Sequence, residues 1–345
     1  MRDGLRDVER RVADAAPVRA RAHRHDIGIC LVGEGAMGRV HAQALGAIAG
    51  VRIVALAAGD AQAGERFARE WHIPHCSLDV AESCARAEVD AVVIASPSGL
   101  HAAHATIAAR AGKTALVEIP VALTLADAES VARVQCETGV PIMVAHTRRF
   151  AAPHRQLHER IRSGTFALQH LVVETYFLRR SNLNMMGEPR HWTDHLLWHH
   201  ACHSVDLAAW LMPDESFDVW AAQGPLHPLL GIAMDMSIGL RGQRSGTLVT
   251  MALSFNNKGP FGGFYRYIGE QDTYRVFRDT LKDGADHELQ IATDGLDAFA
   301  RQDRAFIESV RSGRAPECDA LSVLPAMQLL QRIDQALHAG TNPGS

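Results

Sequence analysis

The sequence lacks the features that mark membrane, disulfide-rich and nucleic-acid-binding proteins. No apolar run in its 345 residues approaches the roughly 20 residues that span a bilayer. The six cysteines include no C-x-x-C pair, which is typical of a reducing compartment and not of a disulfide framework. The formal net charge is only −4, so nothing indicates DNA or RNA as a partner. We therefore expect a cytoplasmic globular protein without a membrane partner.

A glycine-rich segment near the N-terminus predicts a nucleotide-binding unit. The apolar run "IGICLV" leads into "GEGAMG", then into a helical pattern and a second apolar run, "VRIVALAA", so the glycines sit in a strand–turn–helix–strand context. In that context Gly33 allows the turn, Gly35 lets the backbone approach a pyrophosphate, and Gly38 lets helix and strand pack closely. Glycines that merely end a strand are the alternative, and the context favours a dinucleotide site.

Further strands and helices alternate through the first half, which predicts a doubly wound parallel sheet. Ligands of such sheets bind at the carboxyl ends of the strands, and the candidate cofactor-binding residues stand there. They are Gly33, Gly35, Ala36, Met37, Gly38, Ala58, Ser96, Pro97, His101, Glu118 and Pro120. Ala58 takes the place of the usual ribose-binding acid, and the nearest arginine is Arg66. We expect NADP to be preferred and NAD to be tolerated.

The chain is longer than one core usually supports, so two domains are expected. We assign 1–25 to an N-terminal extension that is neither a signal peptide nor needed for activity, and 26–147 to an NAD(P)-binding Rossmann domain. Residues 148–340 combine a helix, alternating strands such as "GTLVTMALSF" and two terminal helices, and form a substrate and dimerisation domain. The predicted fold class is therefore α/β, with a second α/β domain.

The stretch "HWTDHLLWHHACHSVDL" contains five histidines within thirteen residues. On a helix, five polar residues share one stripe: His195, His199, Cys202, His203 and Asp206. Four apolar residues share the opposite side: Leu197, Ala201, Val205 and Ala208. Proton handling is the favoured use of the stripe. A zinc site and a purely structural stripe are the alternatives, and no glutamate follows the first histidine as in H-E-x-x-H. His191 and His200 lie off the stripe or at its edge.

Together, "GEGAMGRVHA", "ASPSGLHAAHATIAARAGKTALVEIP" and "HTRRF" resemble the glucose-fructose oxidoreductase and inositol dehydrogenase family. The resemblance implies NAD(P) on the Rossmann domain and a second α/β domain whose open, mostly antiparallel sheet holds the substrate. It also implies a homodimer or a dimer of dimers that covers this sheet. The chain departs from the family where Ile119 replaces a lysine, His199 replaces an aspartate and Ala201 replaces a glycine. His203 and Asp206 stand at matching places.

These departures point to a branch of the family. The combination of "VEIP", "HTRRF", "FLRRSN" and "WTDHLLWHHACHSVDL" resembles that branch, and the resemblance implies oxidation of the cyclic hemiacetal of a dicarboxylate semialdehyde. The resemblance implies His203 or His199 as the general base, with Asp206 orienting His203. An anionic substrate also requires cations or neutral donors nearby. The candidate substrate-binding residues are His146, Arg148, Arg149, Arg179, Arg180, His195, Asn257 and Lys258. A sugar, inositol or polyol dehydrogenase and a non-catalytic dinucleotide sensor are the alternatives. No metal is expected.

Overall fold

The computed structural model describes residues 26–183, 187, 189–190, 193, 195–292 and 294–339. The N-terminal extension and His191 therefore lie outside the described residues. The chain divides into two compact units. The first runs to Ala145 and takes in Phe299–Leu324, and the second comprises His146–Ala298 and the chain from Pro325.

This division differs from the sequence-based one, which gave all of 148–340 to the second domain. The segment Phe299–Leu324 belongs to the first unit because it bonds to that unit's last strand. The Val144 N–H donates to the Cys318 carbonyl at 2.7 Å, and the Ala320 N–H donates to the Ile142 carbonyl at 2.8 Å. The local sequence pattern does not predict that this segment packs on the first unit, because the packing depends on partners more than 150 residues away.

The first unit has the predicted doubly wound parallel sheet, with the described strands in the order β3-β2-β1-β4-β5-β6. Its strands are β1 Ile27–Val32, β2 Val51–Ala57, β3 His75–Ser77, β4 Ala91–Ile94, β5 Thr114–Val117 and β6 Ile142–Val144. Its helices are α1 Ala36–Gly46, α2 Ala61–Glu70, α3 Val80–Ala85, α4 His101–Arg110, α5 Leu125–Thr138 and α8 Ala298–Ser312. The central strands are buried along nearly their whole length, as expected of a sheet covered on both faces.

The second unit is built on a sheet with the order β13-β12-β11-β7-β10-β9-β8. Only the pairing of β7 with β10 is parallel, so the sheet is mostly antiparallel, as predicted. Its strands are β7 Leu168–Tyr176, β8 Phe217–Gln223, β9 Asp235–Gly242, β10 Leu248–Ser254, β11 Gly262–Gly269, β12 Thr273–Phe277 and β13 Thr280–Lys282. Its helices are α6 Ala152–Arg162, a π-helix Leu196–Ala201, α7 Cys202–Leu211 and α9 Leu324–Ala339.

Buried and exposed residues alternate along this second sheet. In β9 and β10, Ile238 and Met251 are almost fully buried, whereas Ser237 and Thr250 are exposed. On β8, Trp220 keeps 60% of its surface exposed. Period-two alternation is the pattern of a sheet with one face on the core and one face open. Among the helices of the described residues, none has both the length and the apolar character needed to cross a bilayer.

Candidate active site

The glycine-rich turn fits a pyrophosphate. Gly33 has φ +106, and a Cβ there would meet the Ala95 carbonyl oxygen at 2.6 Å. A Cβ on Gly38 would meet the Gly33 carbonyl oxygen at 2.2 Å, so both positions require glycine. Gly35 has no atom within 4 Å of its Cβ position, which leaves open space where α1 begins with Ala36 and Met37. Backbone N–H groups at a helix start attract phosphate, so the space at Gly35 is compatible with a pyrophosphate.

A carboxylate from the glycine-rich turn lies at the end of β2, and the sequence pattern does not reveal it. Ala58 is buried there, as its side chain suggests. Glu34, from the glycine-rich turn, accepts hydrogen bonds from the next two backbone N–H groups, Gly59 at 2.9 Å and Asp60 at 3.0 Å. Arg66 is exposed on α2.

The ends of β4 and β5 are tied together by a buried histidine. The ring nitrogens of His101 contact the Pro120 carbonyl oxygen at 2.8 Å and the Ser96 carbonyl oxygen at 2.7 Å. Pro120 follows a cis peptide bond, and the Ser96 hydroxyl contacts His104 at 2.9 Å. Since His101 is only 2% exposed, it braces the two strand ends from inside, while Pro97 is exposed at the surface.

A charged triad lies buried beside this edge. His41 of α1 contacts Glu118 through Nε2 at 3.0 Å and Asp303 of α8 through Nδ1 at 2.8 Å. Burial lowers the pKa of His41, but the charge and hydrogen bonds of Asp303 and Glu118 outweigh it and raise the pKa from 6.5 to about 10. His41 is therefore an imidazolium at neutral pH. It fixes Glu118, the residue before the Ile119–Pro120 turn, to the segment that returns from the second half of the chain.

We expect this triad to make the protein less stable in alkali. A group whose pKa is raised on folding stabilises the fold fully when the pH is below its ordinary pKa, here 6.5. That stabilisation is lost as the pH rises toward the folded-state pKa of about 10. Urea unfolding of wild type should show that loss between pH 7 and pH 10. A His41→Asn variant should be less stable at pH 7 and should lose less on alkalinisation. An equal alkaline loss in both proteins would contradict the assignment.

The second unit contains a buried ion pair between Arg149 and Asp206. The Arg149 guanidinium donates two hydrogen bonds to Asp206, from Nε to Oδ2 at 2.9 Å and from Nη2 to Oδ1 at 2.6 Å. Asp206 is fully buried and Arg149 is 4% exposed. His146, also buried, places Nδ1 3.5 Å from the same carboxylate. Asp206 thus bonds Arg149 and not His203, which corrects the expectation that it orients His203.

In this unit, His203 and Arg148 each have a buried polar atom without a hydrogen-bond partner among the described residues. His203 is half-buried, and its Nδ1 has no hydrogen-bond partner among the described residues. Burial, and then the neighbouring side chains of Arg148, His146 and His200, hold its pKa well below 6.5. Arg148 is half-buried, with its guanidinium 5.6 Å from the centre of the Tyr265 ring. Unlike Arg149, it forms no ion pair with any described residue. A neutral acceptor and an uncompensated cation therefore stand together.

The helical stripe predicted from the sequence is interrupted. Residues 196–201 form a π-helix and the α-helix starts only at Cys202, so residues on either side do not follow one 3.6-residue repeat. Cys202 and Asp206 are fully buried together with Leu197, Ala201, Val205 and Ala208. The stripe is therefore not a separate polar face, and His203 is its only partly exposed member on α7.

His199 and His195 have different surroundings from His203. The His195 backbone N–H donates to His199 Nδ1 at 2.9 Å, so neutral His199 carries its proton on Nε2 and presents a donor there. His195 caps the π-helix by accepting from the Leu197 N–H at 3.2 Å. Burial lowers the pKa of His195, and the charged residues that act on it are Asp334 and His338 of α9. His195 therefore lies near the last helix.

Sequence reasoning missed the residues that support Arg148. His154, buried on α6, shares a hydrogen bond with the Tyr267 hydroxyl, with Nδ1 at 2.6 Å, and packs edge-on against Tyr265 at 4.6 Å. Burial and the nearby Arg148 charge lower the pKa of His154 from 6.5 to about 3. His200, predicted to pack or face solvent, packs against Phe177 and Phe255. Alternating positions in β11 give the only sequence signal for the two tyrosines.

The other predicted substrate-binding residues of this unit form local contacts or are exposed. Arg180 is exposed and donates to the Phe255 carbonyl at 3.2 Å and the Asn256 side chain at 3.1 Å. Arg179 stacks over the Phe255 ring at 4.8 Å. In the loop after β10, Asn257 donates to the Pro260 carbonyl at 2.8 Å, and Lys258 is exposed. Among the described residues, no group of three potential ligands is placed to hold a metal ion.

Comparison with known proteins matches two parts of the chain to family models. Residues 27–146 match the model of the oxidoreductase family with an NAD-binding Rossmann fold, and 152–295 match the C-terminal domain of bacterial oxidoreductases. The chain is 42% identical to 4-carboxy-2-hydroxymuconate-6-semialdehyde dehydrogenase of a Sphingobium species, over 90% of this chain and 98% of that protein. It is 28% identical to inositol 2-dehydrogenase of Gluconacetobacter diazotrophicus over 55% of each.

A solved structure shares the fold. UDP-N-acetylglucosamine 3-dehydrogenase from Acidithiobacillus ferrooxidans superposes with a TM-score of 0.78 at 22% identity, over 91% of this chain and 98% of that one. Fold, glycine cradle and relatives together define an NAD(P)-dependent oxidoreductase. The chain belongs to the Gfo/Idh/MocA family.

Proposed function

We propose that the protein oxidises the cyclic hemiacetal of 4-carboxy-2-hydroxymuconate-6-semialdehyde to 2-pyrone-4,6-dicarboxylate, a step of protocatechuate 4,5-cleavage. The main supporting observation is that neutral His203, whose Nδ1 has no hydrogen-bond partner among the described residues, lies near Arg148, which forms no ion pair with them. The 42% identical relative named for this substrate supports the proposal. A site for a dicarboxylate requires a cation, and oxidation of a hydroxyl requires a base.

The reaction needs one proton acceptor and one hydride acceptor. The open-chain semialdehyde closes on its enol oxygen to give the hemiacetal. The hemiacetal C–H bond then breaks with its electron pair, the hydroxyl O–H bond breaks, and the carbonyl of the lactone forms. His203 takes the proton, because its lone pair is free and its ring is neutral. When bound, the nicotinamide dinucleotide supplies the acceptor for the hydride. No cysteine nucleophile is required.

Charge explains why a histidine stands where the family has an aspartate. A carboxylate at position 199 would repel a dicarboxylate, whereas His199 presents a neutral Nε2–H donor. Arg148 supplies the fixed positive charge. A bound dianion would also raise the low pKa of His203 toward the range in which a base works best. Substrate binding and base strength are then coupled through the same electrostatic field.

A polyol dehydrogenase of the same family is the second candidate, supported by the inositol 2-dehydrogenase relatives. Two positions disfavour it. Ile119 cannot donate to a substrate hydroxyl as the usual lysine does, and His199 lacks the charge that the usual aspartate provides.

The cofactor is a nicotinamide dinucleotide, and its identity depends on the end of β2. The alanine at position 58 favours NADP, because the usual ribose-binding acid is absent there. The Glu34 carboxylate, which accepts from the N–H groups of Gly59 and Asp60, puts a negative charge at the same strand end and favours NAD instead. The six free cysteines support the expectation of a reducing, cytoplasmic compartment.

The exposed face of the second sheet supports the expectation of a homodimer or a dimer of dimers. Trp220, 60% exposed, and Leu248, 44% exposed, lie on the open face of this sheet, and large apolar side chains exposed on a sheet face favour burial by a second copy. Light scattering at micromolar protein should give an even multiple of 37.5 kDa. A Trp220→Glu variant should shift it toward the monomer. A monomeric wild type would refute this proposal.

Product analysis by mass spectrometry tests the proposed reaction. Oxidation of the hemiacetal adds no oxygen, so the product should be two hydrogens lighter than the substrate. Oxidation of the open aldehyde through its hydrate would add one oxygen and give the tricarboxylate. Tricarboxylate as the first product, or no turnover of this semialdehyde with either dinucleotide, would reject the proposal.

A further inference from the structure

Glu34 occupies the corner that distinguishes the two nicotinamide dinucleotides. In Rossmann domains the ribose of the adenosine half lies at the end of β2, where an acid binds its hydroxyls in NAD enzymes and a cation accommodates the 2′-phosphate in NADP enzymes. Here the acid is missing from β2, since position 58 is alanine. Glu34 instead reaches across from the glycine-rich turn to the two residues that follow Ala58.

The contacts of Glu34 act against a 2′-phosphate in two ways. Its oxygens occupy the N–H groups of Gly59 and Asp60, at 2.9 Å and 3.0 Å, and free backbone N–H groups of this kind would otherwise serve as phosphate donors. Its charge also repels the phosphate dianion over a few ångströms. Of the two arginines nearest in sequence, Arg39 is paired with Glu70, and Arg66, exposed on α2, forms no ion pair with a described residue.

The same carboxylate suits the unphosphorylated ribose. Each oxygen accepts one backbone N–H and retains a lone pair for a further donor. The 2′- and 3′-hydroxyls of NAD are such donors. The two backbone hydrogen bonds also hold the half-buried side chain in place, so little side-chain entropy remains to be lost on binding.

We propose that Glu34 is a specificity-determining residue that selects NAD over NADP by replacing the acid absent from β2. The inference rests on the dinucleotide-binding part of the proposed function and not on the identity of the substrate. Its test is therefore a binding measurement without substrate, so that a wrong substrate assignment leaves the result readable.

The experiment titrates NADH and NADPH into the full-length protein and follows nicotinamide fluorescence. We expect wild type to bind NADH at least about tenfold more tightly than NADPH. Glu34→Ala removes the charge and frees both N–H groups, and should move the ratio of dissociation constants toward NADPH by about 10-fold or more, on the order of one lost charge contact. Glu34→Gln removes the charge but keeps an acceptor, and should produce a smaller shift in the same direction.

Glu65→Gln is the matched control. Glu65 is an exposed carboxylate on α2, whose nearest cation is Arg69 at 3.8 Å, and it does not contact Gly59 or Asp60. Its replacement changes the net charge equally and should leave the ratio unchanged. Tighter binding of NADPH by wild type, an unchanged ratio in both Glu34 variants, or an equal shift in Glu65→Gln would overturn the inference. Failure to bind either dinucleotide would reject the cofactor assignment together with it.

Discussion

Replacing His203 with alanine should reduce kcat on the order of 10²–10⁴-fold, the usual contribution of a positioned general base. His203, the histidine of α7, is partly exposed, and its Nδ1 has no hydrogen bond to a described residue. Dinucleotide binding should stay close to wild type, because the glycine cradle belongs to the other unit. Steady-state kinetics with the semialdehyde and a separate NADH titration give the two readouts.

The pH profile separates a base from a structural histidine. Because the pKa of His203 lies well below 6.5, the acid limb of kcat/KM in wild type should fall below pH 6.5, and it should be lost from the residual activity of His203→Ala. His200→Phe is the control, since it preserves packing against Phe177 and Phe255 and should retain most turnover. Near wild-type turnover in both His203→Ala and His199→Ala would show that the histidines are structural.

Replacing Asp206 with alanine should lower the free energy of unfolding by about 3–5 kcal/mol, because it leaves the buried Arg149 guanidinium without its counter-charge. Both hydrogen bonds of the pair, at 2.9 Å and 2.6 Å, are buried. Urea unfolding, monitored by far-ultraviolet circular dichroism, measures the loss.

The double variant Arg149→Met, Asp206→Leu gives the internal comparison. Exchanging a whole buried pair for apolar residues costs far less than removing one partner, so the double variant should recover most of the stability lost in Asp206→Ala. A loss below about 1 kcal/mol in Asp206→Ala, the range of exposed pairs, would show that the ion pair does not organise this part of the fold.

Local sequence patterns predicted the first unit well. Runs such as "AVVI" and "TALV" are short, continuous and apolar, and this pattern is expected of strands buried on both faces. Gly33 and Gly38 were likewise predictable, because each lies against backbone that excludes a Cβ. The carboxylate of Glu34 was not, since its contacts with Gly59 and Asp60 join two turns that are 25 residues apart.

The second unit shows why residue type alone does not assign a role. Arg148 and Arg149 are adjacent in the 3₁₀ turn Thr147–Phe150, and the sequence treats them alike. Arg149 turns into the core and pairs with Asp206, whereas Arg148 lies over Tyr265. Their difference comes from partners 57 or more residues away. The π-helix before Cys202 is a second such case, because the histidine spacing fits an uninterrupted α-helix.

The central claim is that this family member oxidises a dicarboxylate hemiacetal and not a neutral polyol. The most direct test compares kcat/KM for 4-carboxy-2-hydroxymuconate-6-semialdehyde with that for myo-inositol, from initial rates at 340 nm with saturating dinucleotide. The site predicts a preference for the semialdehyde of roughly 10⁴-fold or more, because a neutral polyol provides no counter-charge for Arg148. Equal or higher kcat/KM for myo-inositol would contradict it.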